Sequence, residues 1–168
     1  MSSDRSRSLT LIRHAKSSWD HPELQDFDRP LNRRGLQNAP MMGQRLAAVS
    51  YRADTIISSP ARRAIMTAES IAAEIGFDPD NIVQNPLVYG ASLGALTEVV
   101  REISSRFRHA VLVGHNPGIT QLCNFLGDSR IDSLPTCGVA RMEFDARSWE
   151  DVLPKKGRLV EFDYPKKR

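Results

Sequence analysis

Short apolar runs that favour β-strands alternate with amphipathic segments that favour helices along most of this 168-residue chain. Turn residues bound the strand-like runs, and the segments between them are long enough for helices. This alternation predicts an α/β fold, a three-layer αβα sandwich in which helices cover both faces of a mostly parallel central sheet. The predicted strands are residues 8–13, 54–58, 81–84, 109–114, 137–144 and 158–162.

Capping residues and prolines predict where the helices begin and end. Asn32 is a suitable N-cap for a helix over residues 32–50. Ser59-Pro60 and Asn116-Pro117 each place proline directly after an N-cap residue, which predicts helices running to about Ile75 and Leu126. A fourth amphipathic helix is predicted over residues 93–107.

The domain organisation is predicted to be simple. No repeat or linker divides the chain, so residues 1–168 are expected to form one domain. Residues 1–7 are polar and lack the apolar stretch of a secretion signal, so they are expected to be a disordered leader, and residues 165–168 a basic tail. Without such a signal, Cys123 and Cys137 are expected to be reduced, which predicts a cytoplasmic protein.

The basic residues favour a small anion as ligand. The net charge is only +3, and no basic face with aromatic support indicates nucleic-acid binding. No apolar run is long enough to span a membrane, so no membrane partner is expected. Several arginines instead flank predicted turns, and planar guanidinium groups suit phosphate oxygens. These are Arg13, Arg29, Arg33, Arg34, Arg62 and Arg63.

Three polar segments follow predicted strands and carry the chemistry. Arg13-His14-Ala15, residues 58–63 and Gly114-His115-Asn116-Pro117 all lie where the carboxyl ends of parallel strands should meet. Two histidines and at least two arginines are therefore expected to converge. Neutral imidazole can attack phosphorus, so the pattern predicts phosphoryl transfer through a covalent phosphohistidine.

Five motifs carry a resemblance to the histidine phosphatase superfamily, and within it to the SixA-like phosphohistidine phosphatases. The resemblance runs from about Leu9 to Phe144 and implies a phosphoglycerate-mutase-like fold. The first motif resembles the Arg-His-Gly signature in an Arg-His-Ala variant. The motifs are residues 11–19 (LIRHAKSSW), Asp28-Arg29-Pro30-Leu31 with Arg34-Gly35, residues 59–67 (SPARRAIMT), residues 114–118 (GHNPG) and Leu134-Pro135-Thr136.

The resemblance implies a role for each candidate residue. His14 would attack phosphorus, Arg13 and Arg63 would bind the phosphoryl oxygens, and His115, acting best when protonated, would donate a hydrogen bond to the same oxygens. The resemblance places the second arginine at Arg63 rather than Arg62. Further phosphate or substrate contacts are expected from Arg29, Ser17 and Asn116.

No metal or other cofactor is expected. The four histidines show no metal-ligand spacing. Arginines beside His14 and in its implied pocket would also oppose a dication. Positive charge is expected to come from the guanidinium groups alone.

The position of the general acid is the informative departure from the family pattern. SixA-like relatives often read Leu-Tyr-Glu-Ala where this chain reads Val88-Tyr89-Gly90-Ala91, so a glycine replaces the acid unless Asp20 or Glu98 substitutes. An alkoxide leaves poorly without an acid, whereas a protonated phosphohistidine does not need one.

The expected function is therefore a phosphohistidine phosphatase. Its partner would be a phosphohistidine-carrying protein, for example a phosphotransfer domain. Two alternatives stay open: a general small-molecule phosphomonoesterase of the same superfamily, and a catalytically inactive phosphate-binding regulatory module.

Overall fold

The computed structural model describes residues 5–167, in which six strands form one sheet with the order β3-β2-β4-β1-β5-β6. The first four in this order run parallel, and β5 runs antiparallel to both of its neighbours. The predicted α/β class with a mostly parallel sheet is thereby confirmed. The elements are β1 (Ser6–Arg13), α1 (Arg33–Ala48), β2 (Thr55–Ser58), α2 (Arg62–Ile75), β3 (Val83–Gln84), α3 (Leu93–Arg101), β4 (His109–Gly114), α4 (Gly118–Leu126), β5 (Val139–Asp145) and β6 (Arg158–Asp163).

The sheet separates two hydrophobic cores, because successive side chains of a strand point to opposite faces. In β1, Leu9 and Leu11 pack with α3 and α4, whereas Ile12 packs with α1 and α2. In β4, Leu112 and Val113 divide between the two cores in the same way. The central strands are therefore apolar on both faces, and the molecule has three layers.

The chain enters the sheet earlier than predicted. Strand β1 begins at Ser6, which pairs with Asp145 of β5, and Arg7 is buried. Residues 6 and 7 of the expected disordered leader therefore belong to the sheet, and residues 1–4 lie outside the described part of the chain. At the other end, the carbonyl of Pro165 accepts a hydrogen bond from Arg45 Nη2 at 3.0 Å, and residue 168 lies outside the described part.

The helix boundaries confirm one N-cap and correct two. The Asn32 side chain accepts the Gly35 N–H at 2.9 Å, as predicted for the start of α1. Helices α2 and α4 begin at Arg62 and Gly118, two residues after Pro60 and one residue after Pro117, the predicted first residues of these helices. The reason is local for α4, since the Asn116 side chain does not cap the backbone of its first turn.

Helix α3 is shorter than predicted, because it ends at Arg101 rather than at residue 107. The Phe107 N–H bonds to the carbonyl of Ser104 in a turn, and serine favours turns over helix interiors. None of the helices in residues 5–167 is long and apolar enough to cross a membrane.

Candidate active site

The carboxyl ends of β1, β2 and β4 meet at one edge of the sheet and place the two histidines side by side. The His14 N–H donates to the carbonyl of Gly114, and the Ser59 N–H donates to the carbonyl of Val113, both at 3.0 Å. The ring centroids of His14 and His115 are 5.1 Å apart. The three polar segments predicted to converge therefore do so.

The tautomer of His14 follows from its one ring hydrogen bond. Nδ1 lies 2.7 Å from the carbonyl oxygen of Ala15, and a carbonyl can only accept, so Nδ1 carries the proton. The lone pair is then on Nε2. Burial first, then Arg63, Arg13 and Arg29, lower the pKa of His14 to about 4, outweighing the opposing bond to Ala15. His14 is thus neutral at pH 7, with Nε2 able to act as a nucleophile.

The second histidine has the opposite tautomer. Nη2 of Arg63 lies 3.4 Å from His115 Nδ1, and because guanidinium can only donate, Nδ1 is unprotonated. The ring proton is on Nε2, which donates to Ser59 Oγ at 2.7 Å. Burial, then His14 and Arg63, lower the pKa of His115 to about 3. His115 is therefore neutral here, whereas the sequence suggested that it acts as a cation.

Three arginines surround the histidines, and two parts of the chain hold them. Arg13 Nη1 donates to the carbonyl of Leu134 at 3.0 Å. Arg63 and Arg29 are both largely buried and are held from the loop before α1. Within residues 5–167, Nε of Arg13 and Nε of Arg63 are buried without a hydrogen-bond partner. Cationic donors with unused N–H groups favour an anion at this position.

Asp26 is the functional candidate that the sequence reasoning missed. Its carboxylate accepts from Arg63 Nη2 at 3.0 Å and from Arg29 Nη2 at 3.1 Å, so one side chain joins the two arginines. Tyr89 OH also donates to it at 2.7 Å. The bond from Tyr89, then those from Arg63 and Arg29, lower the pKa of Asp26 to about 2. The only indication in the sequence was that Asp26 lies three residues before Arg29, a spacing at which the two side chains can form an ion pair.

Aromatic rings line the same region. The Trp19 ring lies 3.6 Å from the guanidinium carbon of Arg29, although three quarters of Trp19 is exposed. Tyr89 packs edge-on against His115 at 5.6 Å and against Phe27 at 5.1 Å. Tyr89 directly precedes Gly90, so the segment where the family acid was expected does reach the histidines, but through its tyrosine.

The remaining predicted residues divide into two groups. Ser17 joins the site, because its hydroxyl accepts from Arg29 Nη1 at 2.8 Å. Asn116 is turned to other partners: Nδ2 donates to Ser133 and Leu134, and Oδ1 accepts from Thr120. In the structure, Asn116 therefore connects the start of α4 to the loop at residues 133–134 and forms no side-chain hydrogen bond with the other candidate residues.

The carboxylates suggested as substitute acids form no hydrogen bond or ion pair with the two histidines in residues 5–167. Asp20 and Glu98 are both exposed, and the hydrogen bonds of the described chain join neither side chain to the site. Gly90 has a φ of 63°, and a Cβ built there would meet no atom within 4 Å. Across residues 5–167, no group of three or more His, Cys, Asp or Glu side chains is placed to hold a metal ion.

The geometry suits attack on a phosphoryl group. A neutral imidazole with a free Nε2 lies among three guanidinium groups, and the adjoining carboxylate is ionised and held by two of them. Preorganised cationic donors of this kind stabilise charge that develops in phosphoryl transfer.

Sequence comparison agrees with this chemistry. Residues 9–112 match the model of the histidine phosphatase superfamily, branch 1. An uncharacterised chloroplast protein of Arabidopsis thaliana is 32% identical over 160 residues, which cover 90% of this chain and 73% of that protein.

Solved structures show the same fold. A protein of Agrobacterium tumefaciens assigned as the phosphohistidine phosphatase SixA is 28% identical, with a TM-score of 0.79 over 95% of this chain and 98% of that one. The protein histidine phosphatase SixA in complex with tungstate is 17% identical, with a TM-score of 0.81 over 94% and 97% of the two chains. These matches confirm the predicted fold class.

Proposed function

The chain belongs to the histidine phosphatase superfamily and is a phosphatase, and we propose that it removes phosphoryl groups from protein phosphohistidine through a covalent phosphohistidine at His14. One observation carries the proposal: Arg63 and Arg29, two of the arginines around His14, bond the carboxylate of Asp26 and keep it ionised. Within residues 5–167 the site thus combines a nucleophile and cationic donors with a carboxylate that is ionised rather than protonated. That combination suits a substrate whose leaving group brings its own proton.

In the first step, Nε2 of His14 attacks phosphorus as the P–N bond of the substrate breaks. The bonding electron pair goes to the substrate nitrogen, and the substrate ring, already protonated on its other nitrogen, leaves as neutral imidazole. His14 then carries both the phosphoryl group on Nε2 and a proton on Nδ1. The carbonyl of Ala15 stabilises that cationic ring by accepting the Nδ1 proton in a hydrogen bond.

In the second step, water attacks phosphorus and the bond to His14 Nε2 breaks. The electron pair returns to Nε2, and the oxygen and protons of water leave with inorganic phosphate. His14 is the leaving group of this step and returns to a neutral imidazole with its proton still on Nδ1, so this step also needs no general acid. Arg13 and Arg63 would offset the charge on the phosphoryl oxygens in both steps.

A bound phosphoryl group would change the state of His115. An anion close to a histidine favours the charged form and raises its pKa. We propose that His115 releases Ser59 and donates to a phosphoryl oxygen once the site is filled. That the protein histidine phosphatase SixA, which shares this fold, forms a complex with tungstate, an oxyanion resembling phosphate, supports an oxyanion ligand for this chain.

The second candidate function is a general phosphomonoesterase, and the position of Asp26 favours it. A carboxylate bonded to the arginines around His14 could protonate an alkoxide if substrate binding raised its pKa into the neutral range. The three donors that hold Asp26 oppose that, since each stabilises the ionised form. Phosphohistidine is therefore the preferred substrate class.

The free thiols of Cys123 and Cys137 support a reducing compartment, and we place the protein in the cytoplasm on that ground.

A substrate panel tests the proposal. A histidine-phosphorylated protein, a phosphoserine peptide and a sugar phosphate are offered to the enzyme at equal concentrations, and released phosphate is measured. We expect kcat/KM for phosphohistidine to exceed that for both esters by at least 10²-fold, the lower end of what a general acid contributes. Equal rates on the sugar phosphate would favour the phosphomonoesterase instead.

A further inference from the structure

A second cluster of cations lines a cleft of about 260 Å³ beside the site. Lys16, Arg34 and Lys166 contribute the charges, and they come from three separate parts of the chain: the loop after β1, helix α1 and the C-terminal segment. Two prolines and three neutral donors complete the lining: Pro135, Pro165 and the side chains of Asn38, Thr136 and Tyr164.

The cations of this cleft are unpaired, unlike several others on the surface. In residues 5–167 no hydrogen bond or ion pair involves the side chain of Lys16, Arg34 or Lys166, and no Asp or Glu lines the cleft. Elsewhere on the surface, Arg158 is paired with Glu143 at 3.0 Å. Like charges gathered without a counter-ion create a local positive potential that attracts anions.

The walls of the cleft are bonded directly to the His14 segment. The Asn32 N–H donates to the carbonyl of Lys16 at 3.0 Å, and the Cys137 N–H donates to the carbonyl of His14 at 3.1 Å. Gly35 allows this approach of α1, because a Cβ there would lie 2.2 Å from the Lys16 carbonyl oxygen. Since Lys16 is two residues from His14, their Cα atoms are at most about 7 Å apart. A substrate held at His14 therefore lies next to the cleft.

We propose that this cationic cleft binds carboxylates on the polypeptide that carries the phosphohistidine, so that the enzyme selects phosphohistidines flanked by acidic residues. The inference rests on the proposed function. A polypeptide is the occupant because Lys16, Arg34 and Lys166 are all exposed and separate in sequence, which suits side chains spread along a segment. Asn38, Thr136 and Tyr164 can donate to carboxylate or backbone oxygens of that segment.

Paired phosphohistidine peptides test the cleft. One peptide carries three Glu residues near the phosphohistidine, and the other carries Gln at the same positions. Each exposed ion pair contributes about twofold, so three pairs should make kcat/KM favour the Glu peptide roughly eightfold in the wild type. In the double variant Arg34→Gln/Lys166→Gln that ratio should fall to about two. The matched control Arg52→Gln/Arg101→Gln removes two exposed cations outside the cleft and should keep the full ratio. Equal ratios in the two double variants would overturn the proposal.

A binding measurement separates this inference from the proposed function. The unphosphorylated Glu peptide is titrated into ¹⁵N-labelled protein, and shifts are expected at the amides of Lys16, Arg34 and Lys166, with none from the Gln peptide. If the wild type cleaves neither phosphohistidine peptide, the proposed function fails, and these shifts alone decide the cleft. Their absence would overturn it whatever the activity.

Discussion

The carboxylate of Asp26 and the guanidinium of Arg63 form an ion pair at 3.0 Å, and the Asp26 carbonyl also accepts from Arg63 Nη1 at 2.7 Å. Two contacts to one residue fix the orientation of the arginine beside His14. The same carboxylate is a negative charge where a phosphoryl group needs positive charge. Asp26 thus has two opposite effects: it orients Arg63 for phosphate binding, and its negative charge repels the phosphoryl group that Arg63 would bind.

Asp26→Asn separates these two effects. The amide keeps the shape and removes the charge, so tungstate and phosphate should inhibit at roughly tenfold lower concentration, because like-charge repulsion is lost. The value of kcat for phosphohistidine should fall about tenfold, because Arg63 and Arg29 are held less firmly. Inhibition constants and steady-state rates measure both. A loss confined to alkyl phosphates would instead make Asp26 a general acid.

The low pKa values of the two histidines predict an unusual acid limit for activity. The pKa values of His14 and His115 are about 4 and about 3, below the ordinary 6.5. Because the two rings are in contact, they titrate as a pair. The nucleophile therefore stays unprotonated in the free enzyme down to about pH 4. For an aryl phosphate, corrected for substrate ionisation, kcat/KM should decline with an apparent pKa near 4. A decline centred at 6.5 would contradict the burial of His14.

The same shifts predict the direction of stability with pH. The folded state binds fewer protons than the unfolded state wherever the folded pKa is the lower one, so stability rises with pH. The contribution of His14 and His115 to the free energy of unfolding is complete above pH 6.5 and is lost as the pH falls from 6.5 towards 3. Urea unfolding at pH 7, 5.5 and 4.5 should show a falling midpoint, and this fall should be smaller in His14→Ala. If the urea midpoint of that variant fell as steeply with pH as in the wild type, the lowered pKa of His14 would be contradicted.

Gly90 offers a place to restore a carboxylate. There is open space around its Cβ position, but φ is 63°, which Asp and Asn tolerate better than Glu. Gly90→Asp should raise kcat/KM for alkyl phosphates relative to phosphohistidine, because an acid helps only the poorer leaving group. The control Gly90→Asn shares the backbone strain and lacks the acid, so it should not change this ratio. Equal effects of the two variants would show that the new carboxylate does not reach the leaving group.

Chelation should leave activity unchanged. The arginines around His14 supply the positive charge that a metal would otherwise bring to the phosphoryl oxygens. Activity in excess EDTA should match that of untreated enzyme, with no gain from added divalent cations. Loss on chelation, restored by one specific metal, would contradict the arginine-based account.

Much of the fold followed from the sequence where local signals were strong. Strand β4 was predicted at its observed bounds, because its near-continuous apolar run is typical of a strand buried on both faces. The convergence of His14 and His115 with an arginine of residues 58–63 followed from the rule that parallel strands share their carboxyl edge, and the family resemblance selected Arg63. These predictions needed no knowledge of long-range side-chain contacts.

Asp26 and Tyr89 could not be found in this way. The loop that carries Asp26 has no period, and its bonds to Arg63 and Tyr89 span 37 and 63 residues. The predicted start of α4 was wrong for a related reason. The Asn116 amide bonds to Ser133 and Leu134 across the loop and does not cap the backbone of its own helix. Contacts between distant segments decide both cases.

The most direct test of the central claim is to trap the phosphorylated enzyme. The protein is mixed with a ³²P-labelled phosphohistidine protein, quenched in denaturant at high pH within milliseconds, and digested for mass spectrometry. The account predicts label on His14 that is stable in base and labile in acid, with neither label nor turnover in His14→Ala, while circular dichroism shows that variant to be folded. Acid-stable label on a serine such as Ser17 or Ser59, or full turnover by His14→Ala, would contradict it.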